Sequence, residues 1–383
     1  MKIWVDENIP MGKEAFSAHG EVVTFAGRGL KNRDIATADA LIVRSITRVD
    51  FDLLEGTPVR FVGTATIGTD HIDQAYLKSH SIGFSSAPGC NANSVGEYVT
   101  AALTHIEVEK GFALEGKTLG IIGYGHVGNQ VERKGLALGM RVQKNDPPLR
   151  DALLASGKSA DGFTDLQALL EQCDIITLHV PLTVDGPHPT LRLAGAEFFS
   201  RLTRPIVLLN TCRGEVIDDA ALKAAMAAGA IRHLILDVFP GEPRIDQGIC
   251  AQSDLITPHI AGYSLQGKLN GTTQVAAAFR RFFGFDTRWS PDFLSPARPE
   301  IEYADLGSDN AFRRHCAHAA YDILADDKRL RVSFSEADAA KAFDRLRRDY
   351  PIRHEFPSYR VRGLPGEKRE LRSRLEALGF RMA

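Results

Sequence analysis

The chain has 383 residues, of which 44% are hydrophobic and 25% are charged, a balance typical of a globular protein with two or three domains. Its net charge is −2 and its isoelectric point is about 6.6, so no overall positive field favours nucleic acid or an anionic membrane as a partner.

Targeting, membrane and disulfide signals are weak in this sequence. No uninterrupted apolar run is long enough to span a bilayer, and Asp6 and Glu7 interrupt the N-terminal segment before a signal-peptide core could form. We therefore expect a cytoplasmic protein that is not embedded in a membrane. The five cysteines are an odd number without a C-x-x-C pair, so we expect neither a disulfide framework nor a metal site.

The first part of the chain alternates short apolar segments with polar or glycine-containing loops. Strands are predicted over residues 2–5, 40–43 and 60–63. A helix is predicted over residues 93–109, because Val95, Val99, Ala102 and Ile106 recur at spacings of three or four.

A second alternating series begins at Leu119. Strands are predicted over residues 119–122, 141–146, 175–179, 206–210, 233–237 and 255–257, with helices between them, for example over 166–172 and 219–228. This alternation favours a doubly wound parallel sheet. Two features are unusual for such a sheet: the strand before Asp146 is polar, and Gly135 and Gly139 lie in the first helical stretch.

The character of the chain changes after about Asp286. Segment 289–299 contains three prolines and indicates a linker, and residues 288–383 carry only three more basic than acidic side chains. Ser335 and Asp338 have the spacing of a capping box, which predicts a helix with Phe343 and Leu346 on one face. A strand is predicted over 359–361 and a helix over 366–378. The predicted fold class is α/β, with two doubly wound, Rossmann-like parallel-sheet domains and a small C-terminal α+β domain.

A glycine-rich loop follows the strand that begins at Leu119. Gly123, Gly125 and Gly128 form G-x-G-x-x-G, in which the first glycine permits a tight turn, the second admits a pyrophosphate and the third lets helix and strand pack closely. Asp146 ends the next predicted strand, where a carboxylate accepts from a ribose 2′-hydroxyl and disfavours a 2′-phosphate. The loop predicts NAD as cofactor; the alternative is a structural turn without a nucleotide.

Three side chains suited to hydroxy-acid oxidation follow three successive predicted strands. Arg213 could bind a carboxylate, His259 could accept a hydroxyl proton, and Glu242 could stabilise the imidazolium that forms. Each has a structural alternative when taken alone: a surface arginine, a solvated loop carboxylate and a hydrogen-bonded histidine. Two other histidines, His179 and His71, stay open as candidates for the base.

Together these motifs resemble the D-isomer-specific 2-hydroxyacid dehydrogenase family over about residues 1–285. The resemblance implies that Arg213 binds the substrate carboxylate, that His259 is the acid/base and that Glu242 is its partner. It also implies three domains: a discontinuous substrate-binding domain over 1–92 and 264–286, an NAD-binding Rossmann domain over 93–263 and a dimerisation domain over 287–383, which makes a homodimer.

Further segments are similar to the branch of the family that oxidises 4-phospho-D-erythronate in pyridoxal phosphate synthesis. They are residues 5–8, 43–45, 63–71, 87–91, 146–148 and 259–267. The similarity implies substrate contacts at Ser45, Thr66 and Tyr263. It implies cofactor contacts, besides the three glycines, at His126, Val127, Asp146, Thr177, Thr211, Cys212, Asp237 and Gly262.

Arg44 lies beside Ser45 at a predicted strand end and could bind a substrate phosphate. The alternative is that Arg44 forms an ion pair with Asp50 or Asp52. A sibling enzyme acting on D-3-phosphoglycerate or another D-2-hydroxy acid would share the catalytic residues. A non-catalytic NAD sensor is the alternative from another class, whereas a nucleic-acid regulator is disfavoured by the small charge of the C-terminal segment.

Overall fold

The computed structural model describes residues 1–291 and 295–383. They form two compact units, one of Met1–Asn91 with residues 263–291 and one of Ala92–Gly262 with residues 295–383. The predicted linker over 289–299 includes residues 292–294, which lie outside the described residues. No helix in the described ranges is long and apolar enough to cross a bilayer.

The strands of the described residues are β1 (Lys2–Asp6), β2 (Glu21–Phe25), β3 (Ala40–Val43), β4 (Phe61–Thr64), β5 (Gly83–Ser85), β6 (Thr118–Ile122), β7 (Arg141–Asn145), β8 (Ile175–Leu178), β9 (Ile206–Asn210), β10 (Ile231–Leu236), β11 (Leu255–Ile256), β12 (Glu300–Glu302), β13 (Arg360–Arg362) and β14 (Arg381–Met382). The α-helices are α1 (Gly12–Phe16), α2 (Phe51–Leu54), α3 (Gln74–Ser79), α4 (Ala92–Glu109), α5 (His126–Ala137), α6 (Pro147–Ala155), α7 (Leu166–Gln172), α8 (Ala196–Ser200), α9 (Asp219–Ala227), α10 (Gln247–Gln252), α11 (Leu265–Phe283), α12 (Asp309–Ala320), α13 (Ile323–Ser333), α14 (Ala339–Arg348) and α15 (Arg369–Leu378).

The first unit is built on a parallel sheet in the order β2-β1-β3-β4-β5. Val275 and Phe279 of α11 pack with Ile3 and Phe61 in one buried cluster beside this sheet. A β-carbon on Gly63 would lie 2.4 Å from a methyl carbon of Val275, so the glycine lets α11 approach β4 closely. Helix α11 therefore completes a core begun by the N-terminal strands.

The second unit contains a six-stranded parallel sheet in the order β11-β10-β9-β8-β6-β7. Strands β6 and β8 are neighbours, and the strand order reverses there, which is where ligands bind in doubly wound sheets. The three strands β9, β10 and β11 are neighbours at one side of the sheet. The catalytic candidates follow these three strands.

The C-terminal residues of the same unit form a small parallel sheet in the order β12-β13-β14, with helices α12 to α15. Helix α12 contacts α4, and α15 contacts α5. The two larger sheets and this small one confirm the predicted fold class.

The polar strand before Asp146 and the glycine at position 135, both unusual for a buried parallel sheet, are explained by local contacts. The polar strand β7 is stable because its side chains find partners: Gln143 bonds Gln172 at 2.7 Å, and Lys144 pairs with Glu132 at 3.2 Å. A β-carbon on Gly135 would lie 2.7 Å from a methyl carbon of Leu119, so this glycine lets α5 pack on β6.

The predicted capping box at Ser335 is wrong. Helix α14 begins at Ala339, and Asp338 is its N-cap, accepting from the Lys341 amide at 3.1 Å. The Ser335 hydroxyl instead donates to the Val332 carbonyl at the end of α13. Since aspartate is as good an N-cap as serine, the pattern identified the helix but not the capping residue.

Candidate active site

The three glycines after β6 make a loop that leaves backbone open to a ligand. Gly123 has φ +91°, and a β-carbon there would lie 2.6 Å from the backbone of His179. A β-carbon on Gly128 would lie 2.4 Å from the Gly123 carbonyl oxygen, whereas one on Gly125 would meet nothing within 4 Å. The loop thus combines two packed glycines with one that faces open space, as a pyrophosphate cradle requires.

Helix α5 begins directly after this loop. Gly125 is its N-cap and offers no side chain, and the first turn contains no acidic residue. His126 is exposed and Val127 is partly buried, so the free amides of the first turn stay accessible to an anion. The residues present therefore fit the phosphates of a dinucleotide.

Asp146 ties the end of β7 to the glycine loop. Its Oδ2 accepts from the Tyr124 amide at 2.8 Å, and its Oδ1 caps α6 by accepting from the Leu149 amide at 3.0 Å. A carboxylate has about four acceptor positions, so the group can also accept from a ribose hydroxyl.

His179 lies between two of the predicted cofactor residues. Its Nε2 is 2.9 Å from the Thr177 hydroxyl, and its Nδ1 is 3.2 Å from the Thr211 hydroxyl. Burial lowers the pKa of His179 to about 3, which makes the imidazole too weak a base for proton transfer near neutral pH. The structure thus favours a structural role for His179.

The catalytic candidates come together through the loops after β9 and β10. Asn210 shapes the first loop, because its amide donates to the Arg213 carbonyl at 2.9 Å and its oxygen accepts from the Cys212 amide at 3.1 Å. A β-carbon on Gly214 would lie 1.9 Å from the Phe239 carbonyl carbon. Only glycine permits this approach, which brings the Arg213 loop against the loop that carries Glu242.

His259 and Glu242 form a hydrogen-bonded pair. His259 Nδ1 is 2.8 Å from Glu242 Oε2, and Glu242 Oε1 accepts from the Phe239 amide at 2.9 Å. Burial acts to raise the pKa of Glu242, but the charge and hydrogen bond of His259 and the charge of Arg347 outweigh it, and the pKa is lowered. Because Nδ1 is engaged, Nε2 is the ring nitrogen that can exchange a proton with a substrate.

The backbone of His259 is in the left-handed region, with φ +57°. Buried Asp237 holds the loop in this conformation: its Oδ1 accepts from the Ile260 amide at 2.8 Å and its Oδ2 from the Ala261 amide at 2.9 Å. Its Oδ1 also accepts from the Thr257 hydroxyl at 2.6 Å, and burial raises the pKa of Asp237 to about 6. This loop-holding role was not evident from the sequence; the predicted cofactor contacts of Asp237 and Gly262 stay predictions.

In the first unit, the structure brings Arg44 together with Tyr263. Arg44 Nη2 donates to the Tyr263 hydroxyl at 3.1 Å. The alternative partner Asp50 instead accepts from Arg48 at 2.6 Å and caps α2. Ser45 follows Arg44 and is exposed.

Thr66 follows β4, the neighbour of β3, so it lies at the same edge of this sheet as Ser45. Its hydroxyl is 2.7 Å from that of Thr64 and donates to the Gly68 carbonyl at 3.0 Å. His71 Nε2 is 3.0 Å from the Thr64 hydroxyl.

Comparisons with known proteins agree with this geometry. The family described as "D-isomer specific 2-hydroxyacid dehydrogenase, NAD binding domain" matches residues 97–261, and a domain of unknown function matches residues 295–379. Proteins named erythronate-4-phosphate dehydrogenase are similar to the chain. The one from Salmonella paratyphi A is 44% identical over 94% of both chains, and the one from Hahella chejuensis is 43% identical over 100% of both. The chain belongs to the D-isomer-specific 2-hydroxyacid dehydrogenase family.

Solved structures support the assignment. The D-lactate dehydrogenase of Aquifex aeolicus, complexed with NAD and lactic acid, is 26% identical with a TM-score of 0.62, over 74% of this chain and 95% of that one. The NAD⁺-bound 3-phosphoglycerate dehydrogenase of Entamoeba histolytica is also 26% identical with a TM-score of 0.62, over 77% of this chain and 99% of that one.

Membership of the family confirms the predicted enzyme class, an NAD-dependent dehydrogenase, and the predicted cofactor NAD. In this dehydrogenase the candidate NAD-contacting residues surround the switch point between β6 and β8 and the adjoining strand ends. Arg213, Glu242 and His259 follow the neighbouring strands β9, β10 and β11. The individual roles of these residues stay predictions.

Proposed function

We propose that this dehydrogenase oxidises the C2 hydroxyl of 4-phospho-D-erythronate to give 3-hydroxy-2-oxo-4-phosphobutanoate. The observation that carries the proposal is full-length similarity to the Hahella chejuensis protein named erythronate-4-phosphate dehydrogenase. By contrast, the Entamoeba histolytica 3-phosphoglycerate dehydrogenase is matched almost completely by 77% of this chain. Nearly a quarter of the chain therefore has no counterpart in that enzyme.

The proposed proton transfer uses the hydrogen-bonded pair of His259 and Glu242, which follow β11 and β10. His259 Nε2 accepts the C2 hydroxyl proton while Nδ1 stays bonded to Glu242, whose charge stabilises the imidazolium. NAD, held by the Gly123–Gly128 loop and Asp146, would supply the acceptor for the hydride from C2. Arg213 binds the substrate carboxylate and polarises the carbonyl that forms, because a guanidinium offers two parallel donors to a carboxylate.

The proposed phosphate contacts lie in the first unit. Arg44 and Tyr263 present a cation and a hydroxyl 3.1 Å apart, and Ser45 adds a second, exposed hydroxyl. A phosphate accepts well from such a set. Thr66, at the same sheet edge, is a further candidate contact.

We also propose that the enzyme is a cytoplasmic homodimer associated through its C-terminal domain, residues 287–383. Within the described part of this segment, Leu306, Val332 and Ile352 are large apolar side chains that are 46%, 60% and 68% exposed. These side chains are candidate contacts of such an interface. Light scattering coupled to size exclusion tests the proposal: a mass of one chain would contradict it.

The proposed substrate is tested by comparing kcat/KM for 4-phospho-D-erythronate, D-3-phosphoglycerate and D-lactate, with NAD reduction followed by absorbance. A 2-oxo acid such as 2-oxoglutarate is included as acceptor, so that tightly held cofactor can turn over. Preference for 4-phospho-D-erythronate is the expected result. Preference for D-3-phosphoglycerate would favour the sibling function, and the substrate contacts proposed for Arg44 and Ser45 would then be wrong.

A further inference from the structure

A buried arginine from the C-terminal segment reaches the loop that carries His259. Arg353 is 5% exposed and lies between α14 and β13. Its Nη2 donates to the Ala261 carbonyl at 2.7 Å and, at 3.3 Å, to the Ser94 carbonyl in the first turn of α4. Ala261 is only two residues from His259, so this arginine joins the C-terminal segment directly to the catalytic loop.

One face of the Arg353 guanidinium is also covered, by an aromatic ring. Its central carbon lies 4.1 Å from the centre of the Tyr321 ring, a cation–π contact. Asp326 accepts from the hydroxyls of Tyr321 at 2.9 Å and Tyr350 at 2.8 Å, so the ring beneath the guanidinium is fixed. The guanidinium can therefore position the Ala261 carbonyl, because its own orientation is set by the Tyr321 ring and the Ser94 carbonyl.

Glu355, two residues after Arg353, also binds α4. Its Oε1 accepts from the Ser94 hydroxyl at 2.8 Å, and its Oε2 accepts from the side-chain Nδ2 of Asn93 at 2.6 Å. Arg353 and Glu355 thus bind the same turn of α4. The Arg353 guanidinium bridges that turn and the Ala261 carbonyl.

The catalytic loop needs such support because His259 has φ +57°, a conformation that a residue with a β-carbon keeps only when its surroundings impose it. Asp237 accepts from the Ala261 amide at 2.9 Å, and Arg353 donates to the carbonyl of the same residue. Both backbone polar groups of Ala261 are therefore engaged, one by the sheet and one by the C-terminal segment.

We propose that Arg353 is a positioning residue for the general base. By holding the Ala261 carbonyl, it keeps the loop in the conformation that presents His259 to Glu242 and to the substrate. The inference rests on the proposed role of His259. The C-terminal residues from 295 onward would then contribute to catalysis as well as to the proposed dimer.

A purely structural role for Arg353 is the competing explanation, and the chain offers a matched control. Arg313 of α12 is 1% exposed and also fastens the C-terminal residues to α4, through Glu107 at 3.3 Å. Glu107 lies 13 residues beyond Ser94 on the same helix, which is roughly 20 Å along its axis. Replacing either arginine by lysine keeps the charge and removes the planar fork of donors.

The test compares Arg353→Lys, Arg313→Lys and the unaltered enzyme by thermal unfolding and by kcat and kcat/KM against pH. We expect both variants to melt at lower temperature. Arg353→Lys should lose about 10- to 100-fold in kcat, because small misplacements of reacting groups have effects of this size. Its acid limb in kcat/KM should also move, since the contact between His259 and Glu242 is disturbed. Arg313→Lys should have a kcat within about twofold of that of the unaltered enzyme, and the acid limb of its kcat/KM profile should not move.

Two results would overturn the proposal: unaltered kcat and pH profile in Arg353→Lys, or an equal loss in Arg313→Lys. If Arg353→Lys does not fold, Tyr321→Leu takes its place, because it removes the ring beneath the guanidinium, together with the hydroxyl that donates to Asp326, and leaves Arg353 itself unchanged. A normal pH profile and kcat in that variant would contradict the proposal equally. The assay uses whichever acid the unaltered enzyme oxidises fastest, so a wrong substrate assignment is detected separately and leaves this test intact.

Discussion

Replacing Glu242 by glutamine removes one charge from the His259–Glu242 pair and keeps a side chain that can hydrogen-bond. The His259 side chain is 30% exposed and that of Glu242 is 17% exposed, so solvent screens the pair only in part. Two charges about 4 Å apart interact by about 4 kcal/mol at an effective dielectric constant near 20. The amide and solvent recover part of this, which leaves a loss of about 2–3 kcal/mol, or about 30- to 150-fold in kcat.

The pH dependence of kcat/KM provides a second test of Glu242→Gln. In the proposed proton transfer a neutral His259 accepts the hydroxyl proton, so kcat/KM should fall as the pH is lowered. The Glu242 carboxylate favours the protonated imidazole. Its removal should therefore move the acid limb of kcat/KM to lower pH.

A second histidine–carboxylate pair provides the control. His233 Nδ1 lies 3.2 Å from Asp254 Oδ2, and the side chains are 14% and 16% exposed. His233 is near the start of β10 and Asp254 precedes β11, so this pair lies at the end of the sheet opposite to His259 and Glu242. Asp254→Asn should lower stability and leave kcat unchanged. Glu242→Gln with kcat within about threefold of the unaltered enzyme and an unmoved acid limb would refute the reasoning.

Three further predictions follow from other contacts. Arg44→Met should raise KM for the phosphorylated substrate about 10- to 100-fold, because a charged hydrogen bond contributes about 1.5–3 kcal/mol. Arg48→Met, in the same loop, should leave KM unchanged, and equal KM values for the two variants in steady-state assays would contradict this prediction. Asp146→Ser should keep the cap of α6 and raise kcat/KM with NADP relative to NAD, and an unchanged ratio would count against the ribose contact. Burial raises the pKa of Glu97 to about 8 from 4.5, so the folded state holds this proton more tightly, and the stabilisation is lost as the pH rises toward 8. Glu97→Gln should therefore melt with less pH dependence between about pH 5 and 8 in calorimetric scans, and an unchanged dependence would contradict the assignment.

Much of the nucleotide-binding unit could be predicted because its signals are local. Each of Arg213, Glu242 and His259 directly follows an apolar strand, and the carboxyl ends of parallel strands meet at one edge of a sheet. The spacing of Gly123, Gly125 and Gly128 likewise reports a turn whose conformation is set within a few residues. The order of β9, β10 and β11 in the sheet then follows from the doubly wound topology.

The contacts that hold the site were not predictable, since they join residues far apart in the sequence. Nothing near Arg353 indicates that its guanidinium reaches Ala261, 92 residues away. Asp237 looks like any carboxylate at a strand end, and only the fold shows that it binds the amides of the His259 loop. Short strands such as β2 and β5 were also missed, because β2 is partly exposed and β5 has only three residues.

The central claim is that this dehydrogenase removes hydride from C2 of 4-phospho-D-erythronate, and deuterium at C2 tests it most directly. The reduced cofactor and the product are separated after turnover and analysed by mass spectrometry. Hydride transfer from C2 predicts that the deuterium is recovered in the reduced NAD and is absent from C2 of the product. Reduced NAD without deuterium, with the label kept in the product or released to water, would contradict it.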